Sequence, residues 1–310
     1  MSTIDGTTAG PSSGTGPRGV PNLKGRSRPA ERVIVAGLIA SAGLSVVITI
    51  AILVALVEPV IEFFRQVSVS EFFATEGRFA VIPLVTGTLT VTLIALLVAV
   101  PIGLGAAMYL SEYASKRTRK VLKPTVELLA GIPSVVYGFF ALFFVTPRLL
   151  QDLLNMQVNF TNLLSAGLIL GVMIIPTIAS LAEDALTAVP QALRQGSYAM
   201  GANRMQTTLR VVLPAAISGV AAAIVLGMSR AIGETMIVAL AAGAQKNMTL
   251  DIREGAQTMT GFIAQTAGGE NPVGSVEYNM LFAVGLLLFV ITLVINLISI
   301  TLVRRYRQEY

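Results

Sequence analysis

The 310-residue sequence contains no cysteine and no histidine. Disulfide bonds, thiolate or imidazole metal sites, cysteine nucleophiles and histidine-based catalysis are therefore excluded. Charged residues make up 13% of the chain, about half the share that is usual in a soluble domain. The phosphate-cradling pattern G-x-x-x-x-G-K-[ST] is also absent, so no such loop is available to hold a nucleotide.

Long apolar blocks take the place of these features, since 54% of the residues are hydrophobic and the mean hydropathy is +0.75. About 20 apolar residues cross the hydrocarbon of a bilayer. The first block is longer than the apolar core of a signal peptide and is expected to be retained. The blocks predict an all-α integral membrane protein with six transmembrane helices, at roughly 33–57, 81–110, 128–146, 163–182, 215–244 and 280–303.

The first 32 residues are rich in Gly, Ser, Thr and Pro, and they predict a disordered tail ahead of a transmembrane domain that spans 33–310. Basic residues are distributed unevenly between the two sides of the predicted spans. Sixteen lie in the tail, the second connection, the fourth connection and the C-terminus, and five lie in the other three connections, which also hold nine acidic residues. Basic residues favour the cytoplasmic side, so both termini are predicted to be cytoplasmic. The net charge of +5 then reflects topology and gives no support to nucleic-acid binding.

The fourth connection, 183–214, is polar, has a helical pattern and is expected to be cytoplasmic. It resembles the signature E-A-A-x3-G-x9-I-x-L-P, which permease subunits of ABC importers carry on their cytoplasmic side. The spacing matches throughout, although Gln replaces Glu, Gly-Ser replaces Ala-Ala and Val replaces Ile. The matching residues are Gln195, Gly196, Ser197, Gly201, Leu213 and Pro214. Pro190 is well placed at the first turn of a helix, and Gly201 allows a helix to end in a left-handed conformation.

Arg230 and Glu234 are the only charges in the predicted fifth span. At positions i and i+4 they are expected to share one helix face as a buried pair. A charge at the bilayer centre costs at least about 2.5–3.5 kcal/mol, and charged residues there usually serve function. The residues leave two interpretations open: a salt bridge that fixes helix packing, or an ion site. The guanidinium fork suits an oxyanion, and Glu234 is expected to hold Arg230 when no anion is bound.

Several segments are similar to permeases of phosphate-specific ABC importers. "SRAIGETM" (Ser229 to Met236), "ELLAGIPSVVYGFFAL" (Glu127 to Leu142) and "LSEYAS" (Leu110 to Ser115) resemble that family in general. "FFRQVSVSEFFATEG" (Phe63 to Gly77) and "MTGFIAQTAGG" with "GSVEYNMLFAVGLLLF" (259–269 and 274–289) resemble its C-type subunit. Ser134 and Tyr137 follow Pro133 and are weaker candidates for the transport path.

This resemblance implies a type I ABC importer permease in a prokaryotic inner membrane. It implies Arg230 and Glu234 in phosphate passage, and a short cytoplasmic helix that docks on the ATPase. The implied partners are a second, A-type permease, ATPase subunits, an extracytoplasmic phosphate-binding protein, phosphate and membrane lipid. The chain itself is expected to be no enzyme and to bind no cofactor or metal, because ATP and Mg²⁺ belong to the ATPase.

Two other functions stay open at this point. A permease of the same fold could carry another oxyanion, such as sulfate or molybdate. A secondary transporter could use Glu234 to carry protons without any ATPase, and the cytoplasmic signature argues against it. A membrane enzyme has no support, because no nucleophile–base set occurs.

Overall fold

The computed structural model describes residues 29–269 and 271–305. The chain divides into two compact units, of which one ends at Ile52 and the other begins at Leu53. Most of the predicted tail lies outside the described residues, and the first helix begins at Pro29. Within the described residues every regular element is helical. The α-helices are α1 Pro29–Gln66, α2 Val69–Phe72, α3 Ile82–Met108, α4 Lys116–Leu129, α5 Ser134–Phe140, α6 Leu163–Thr187, α7 Gln191–Ala199, α8 Arg204–Thr207, α9 Leu213–Ala215, α10 Ile217–Ile232, α11 Met236–Ala241, α12 Met259–Ala267 and α13 Val276–Arg305.

Three of these helices continue as π-helix: α3 into Tyr109–Tyr113, α5 into Ala141–Leu153 and α8 into Thr208–Val212. Within 29–269 and 271–305, five helical stretches are long and apolar enough to cross a membrane, and a bent pair makes a sixth if it counts as one span. The five are Arg32–Gln66, Ile82–Tyr113, Ser134–Leu153, Leu163–Thr187 and Val276–Thr301, and the pair is Arg204–Ala215 with Ile217–Ile232. The six predicted crossings are thus reached when the bent pair is one of them.

The predicted third span, 128–146, has both boundaries wrong. Leu128 and Leu129 are the last residues of α4, and Pro133 is extended, with φ −57° and ψ 133°. A helix starts again at Ser134 and continues to Leu153. Proline lacks an N–H and disfavours helix at the residue before it, so the chain restarts the helix after Pro133. Hydropathy did not reveal this boundary because the end of α4 is itself apolar.

The predicted fifth span, 215–244, is not one continuous helix. It bends by 73° between α9 and α10, where Ala216 has φ −92° and ψ 2°. It is then interrupted between Ile232 and Met236. The site described below lies at this second interruption.

Helix α6 is the centre of the described bundle, since 67% of its most apolar stretch is buried. Its glycines bring α3 very close. A Cβ added at Gly167 would lie 2.6 Å from the Ile94 Cβ, and one at Gly171 would lie 2.9 Å from the Ala95 carbonyl oxygen. Small residues permit such close approach of helices where lipid supplies no hydrophobic drive.

Helix α10 packs against α6 by the same means. A Cβ at Gly219 would meet the Ala185 Cβ at 2.5 Å, and one at Gly227 would meet Ile178 Cγ1 at 2.7 Å. The two glycines are eight residues apart and therefore share a face of α10. This packing fixes the rotation of α10 and so decides which way Arg230 points.

Candidate functional site

The interruption between α10 and α11 consists of Gly233, Glu234 and Thr235. The Glu234 carboxylate accepts hydrogen bonds from the backbone N–H groups of Met236, at 3.1 Å, and Ile237, at 3.4 Å. In a continuous helix these two groups would donate to carbonyls four residues earlier. The side chain of Glu234 takes their place, so it caps α11 and the helix cannot run on from α10.

Two hydrogen bonds to other helices hold the backbone around this interruption. Ser229 Oγ donates to Asn296 Oδ1 of α13 at 2.5 Å. Thr260 Oγ1 of α12 donates to the Glu234 carbonyl oxygen at 2.7 Å. Polar contacts between membrane helices are each worth roughly 0.6–2 kcal/mol. Arg230 is therefore held between two anchored residues.

Arg230 is in the last turn of α10 and is exposed on the surface of this chain. Across 29–269 and 271–305, no carboxylate oxygen lies within 4.0 Å of its guanidinium nitrogens. Arg230 thus presents an open guanidinium on the surface of the described chain.

The predicted buried Arg230–Glu234 pair on one helix face is therefore wrong in its geometry. The i, i+4 relation holds only along a continuous helix, and α10 ends between the two residues. Glu234 is half-buried and bonded to α11, while Arg230 is exposed. Sequence reasoning found both positions but assigned Glu234 the wrong partner.

An exposed arginine within an apolar span cannot face lipid tails without a partner, because the charge is too costly there. The other exposed residues of α10 are apolar. The surface that carries Arg230 must therefore meet another protein chain or a water-filled path. A guanidinium in such a place offers a rigid fork of N–H donors. Chemically it suits a carboxylate or a tetrahedral oxyanion.

The signature segment forms α7 and the turn after it. Gly201 has φ +82°, the Ala202 N–H donates to the Ser197 carbonyl and the Gly201 N–H donates to the Tyr198 carbonyl. This is a Schellman ending, and it confirms the predicted left-handed role of Gly201. A Cβ at Gly196 or Gly201 would touch nothing within 4 Å, so both glycines leave open space on this chain.

The remaining signature residues divide between surface and support. Gln195 and Pro214 are exposed, whereas Ser197 and Leu213 are half-buried. The Ser197 hydroxyl is 2.9 Å from the Thr207 hydroxyl, which ties α7 to α8. The segment thus presents an exposed turn on a supported base.

Arg194, directly before the signature, is a structural residue that the sequence reasoning missed. Its side chain is only 7% exposed and pairs with Glu112, which is 5% exposed, at 2.8 Å. It also donates to the carbonyl oxygens of Leu186, at 2.8 Å, and Val189, at 2.5 Å. Because the Leu186 carbonyl lies in the last turn of α6 and the Val189 carbonyl just after it, Arg194 joins α7 to the end of α6 and, through Glu112, to the π-helical continuation of α3. The available signal was Glu112 itself, an acid inside the "LSEYAS" segment.

A second buried carboxylate, Glu183 of α6, binds Arg119 and Lys123 of α4. Lys123 also contacts Asp184, and hydrogen bonds to Asp184 and Glu183 raise the pKa of Lys123. These contacts attach the basic helix α4 to α6. In the part of the chain that the structure describes, no group of three acidic residues is placed to hold a metal ion.

Residues 99–308 match the family model of the binding-protein-dependent transport system inner membrane component. The probable ABC transporter permease protein YqgH of Bacillus subtilis is 39% identical over 70% of this chain and 70% of its own length. The phosphate transport system permease protein PstC of Pasteurella multocida is 34% identical, covering 76% of this chain and 77% of that protein. PstC 1 of Mycobacterium tuberculosis is 35% identical, covering 73% of each.

Solved structures resemble the fold. A bacterial ABC transporter involved in the import of the acidic polysaccharide alginate matches with a TM-score of 0.65 and 19% identity, over 90% of this chain and 97% of that one. The MetNI methionine ABC transporter, in an inward-facing conformation, matches with a TM-score of 0.54 and 20% identity, over 74% and 94%. The predicted all-α importer permease fold is thereby confirmed. As a multi-pass permease subunit of an ABC importer, the chain works with an ATPase and a binding protein and is not itself an enzyme. The chain belongs to the family of binding-protein-dependent transport system inner membrane components.

Proposed function

We propose that this chain is the C-type permease subunit of an ATP-driven importer of inorganic phosphate. It would form the translocation path with a second, A-type permease, and an extracytoplasmic phosphate-binding protein would deliver the anion. Both termini would be cytoplasmic. Relatives named phosphate transport system permease protein support this substrate, as they cover about three quarters of the chain at 31–35% identity.

One observation carries the proposal: Arg230 is an exposed guanidinium on an apolar helix, without a carboxylate partner among the described residues. Phosphate oxygens would accept from its N–H fork in a bidentate contact. Tyr137 of α5, whose hydroxyl donates a hydrogen bond to the Leu129 carbonyl oxygen at 3.1 Å, stays a weaker candidate for the same path. The second permease would cover this surface and enclose the anion.

Glu234 has a different role from a counter-ion in this proposal. Its carboxylate ends α10 and starts α11, so it fixes the place where the span is broken. This break leaves Arg230 in the last turn of α10, and its guanidinium is not neutralised by the neighbouring Glu234. Weak, reversible binding of the anion would follow because, among the described residues, the site offers the positive charge of Arg230 without an enclosing set of cations.

The exposed turn of α7 would dock in a groove on the ATPase, with Gln195, Gly196 and Gly201 at the contact. The half-buried Ser197 and Leu213 would support the turn, and the exposed Pro214 would lie at the start of the following span. The open space beside both glycines would let the ATPase backbone approach closely. ATP and Mg²⁺ would bind to the ATPase and no cofactor would bind to this chain. Arg194 would carry the motion of α7 to α3 and α6 through its bonds to Glu112 and the end of α6.

Uptake by the complete importer in vesicles tests the substrate. We expect labelled phosphate to enter in the presence of ATP and the binding protein, with excess unlabelled phosphate competing and sulfate or molybdate competing far less. Strong uptake of sulfate or molybdate in place of phosphate would contradict the proposed substrate. Uptake that persists without ATP and follows the pH gradient would contradict the proposed coupling.

A further inference from the structure

A cavity of about 190 Å³ lies at the other end of the molecule from α7. It is lined by residues that precede α3, by the loop after α11, by α12, and by residues just before and at the start of α13. The helix α3 with its π-helical continuation spans Ile82 to Tyr113, which separates the two ends by about 48 Å at 1.5 Å per residue. The polar residues that line the cavity are Arg78, Lys246, Thr266, Asn271 and Glu277.

The ammonium group of Lys246 is the distinctive feature of this cavity. It donates a hydrogen bond to the Arg78 carbonyl oxygen at 2.7 Å and lies 4.6 Å from the centre of the Phe262 ring. Within the described residues, no carboxylate oxygen lies within 4.0 Å of it. The one acid of the lining, Glu277, is bound by the Arg78 guanidinium at 2.5 Å. The described lining therefore has two cations and one anion, and of the two cations Lys246 is the one without a counter-ion.

The surroundings of Lys246 disfavour its charged form. Burial and, to a smaller extent, the charge of Arg78 lower the pKa of Lys246 to about 8. A cation–π contact and a carbonyl give only partial compensation. An anion placed in the cavity would supply the missing charge and raise this pKa again.

We propose that this cavity binds an inorganic oxyanion of the phosphate class before it reaches Arg230. Lys246 and Arg78 supply positive charge, and Thr266 and Asn271 supply neutral donors, which together suit a tetrahedral anion. Helix α12 connects the two places, because it lines the cavity with Phe262 and Thr266 and also holds the Glu234 backbone through Thr260. The choice of phosphate as the ligand rests on the proposed function.

The sequence offers a selective probe of this cavity. The chain has five lysines, and the other four, Lys24, Lys116, Lys120 and Lys123, lie in segments predicted to be cytoplasmic. A membrane-impermeant acylating reagent applied to the outside of vesicles should therefore modify Lys246 alone in this subunit. The complete importer is used, without its binding protein, and the modified peptide is quantified by mass spectrometry.

We expect phosphate to slow the acylation of Lys246 when compared with chloride at equal ionic strength. A nearby opposite charge commonly changes a pKa by 1 or more. If phosphate raises the pKa of Lys246 from about 8 to about 9, the neutral amine at pH 8 falls from about a half to about a tenth, so the reaction slows about fivefold. Asn271→Ala and Thr266→Val should weaken this protection, and Arg253→Gln, whose arginine pairs with Asp251 on the same loop, should leave it intact.

Three results would overturn the inference. Equal acylation in phosphate and chloride would do so directly. Acylation that depends on the phosphatidylglycerol content of the vesicles and not on free phosphate would identify a lipid headgroup instead. Acylation that ignores phosphate but changes with Glu270→Gln would identify the carboxylate next to Asn271 in the sequence as the counter-ion. Phosphate uptake by the wild-type importer separates the two claims, because uptake without protection refutes only the cavity and absent uptake refutes the proposed function.

Discussion

Replacing Arg194 with methionine is expected to destabilise this subunit more than any exposed arginine replacement. Arg194 is buried and joins three elements through Glu112 and through the carbonyl oxygens of Leu186 and Val189. Methionine fills a similar volume but donates no hydrogen bond. The variant leaves the Glu112 carboxylate buried without its cation and leaves two carbonyls without donors.

The magnitude follows from these losses. Removing one partner of a buried ion pair costs about 3–5 kcal/mol, because the other charge stays desolvated. Glu112→Gln should cost less, about 1–3 kcal/mol, since the glutamine oxygen can still accept from Arg194 and both carbonyl bonds remain. In the double variant Glu112→Gln/Arg194→Met no buried charge is left, so it should be more stable than Arg194→Met alone.

The midpoint of thermal unfolding of the purified importer, measured for wild type, both single variants and the double variant, checks this order. Arg148→Met serves as a matched control, because Arg148 is exposed and its pair with Asp152 is worth at most about 1 kcal/mol. The reasoning is refuted if the double variant loses as much as the sum of the two singles, since residues that interact do not add. It is also refuted if Arg194→Met unfolds at the same temperature as the control.

Three further predictions concern packing, coupling and pH. Gly171→Ala should lower the unfolding temperature, because its Cβ would lie 2.9 Å from the Ala95 carbonyl oxygen and overpacking costs about 1–3 kcal/mol. Gly105→Ala is the control and should leave the unfolding temperature unchanged, because its Cβ would meet no atom within 4 Å. Gly201→Trp should leave the subunit assembled but uncouple ATP hydrolysis from uptake. Gly201→Asn should stay largely coupled, because asparagine tolerates φ +82°. Equal coupling in both variants would argue against docking at this turn. Burial and the charge of Arg78 lower the pKa of Lys246 from 10.5 to about 8, so between pH 8 and 10.5 the unfolded chain binds a proton that the folded chain does not. The free energy of unfolding should therefore rise with pH across that range, and Lys246→Met should flatten the rise, as measured by the unfolding temperature at each pH.

The sequence was sufficient to predict the helical membrane fold, and the predicted six crossings are reached if the bent pair counts as one span. Apolar length and charge distribution are strong signals, because the bilayer excludes charges from the spans. The ends of the spans could not be predicted from hydropathy where apolar residues continue past the membrane helix. Leu128 and Leu129 belong to α4, and a short non-helical segment, residues 130–133, separates them from the third span.

The site was predictable in its residues and not in its geometry. Arg230 and Glu234 stood out because they are charges inside an apolar block, but the expected pairing assumed one helix. Gly233, Glu234 and Thr235 together were the missed signal: a glycine weakens the helix, and an acid just before a new helix can cap its N–H groups. Arg194 was missed because its partner, Glu112, is 82 residues away in the chain. Such a contact leaves no trace in local spacing.

Phosphate uptake by Arg230→Gln, in an importer that assembles normally, tests the central claim most directly. Loss of a hydrogen bond to a charged group costs about 1.5–3 kcal/mol, and about 1.4 kcal/mol is tenfold, so uptake at limiting phosphate should fall at least about tenfold. Arg230→Lys should keep part of the activity through its charge, and Arg253→Gln, on an exposed loop arginine, should keep nearly all of it. Uptake by Arg230→Gln equal to that of the wild type would contradict the assignment of Arg230 to the phosphate path.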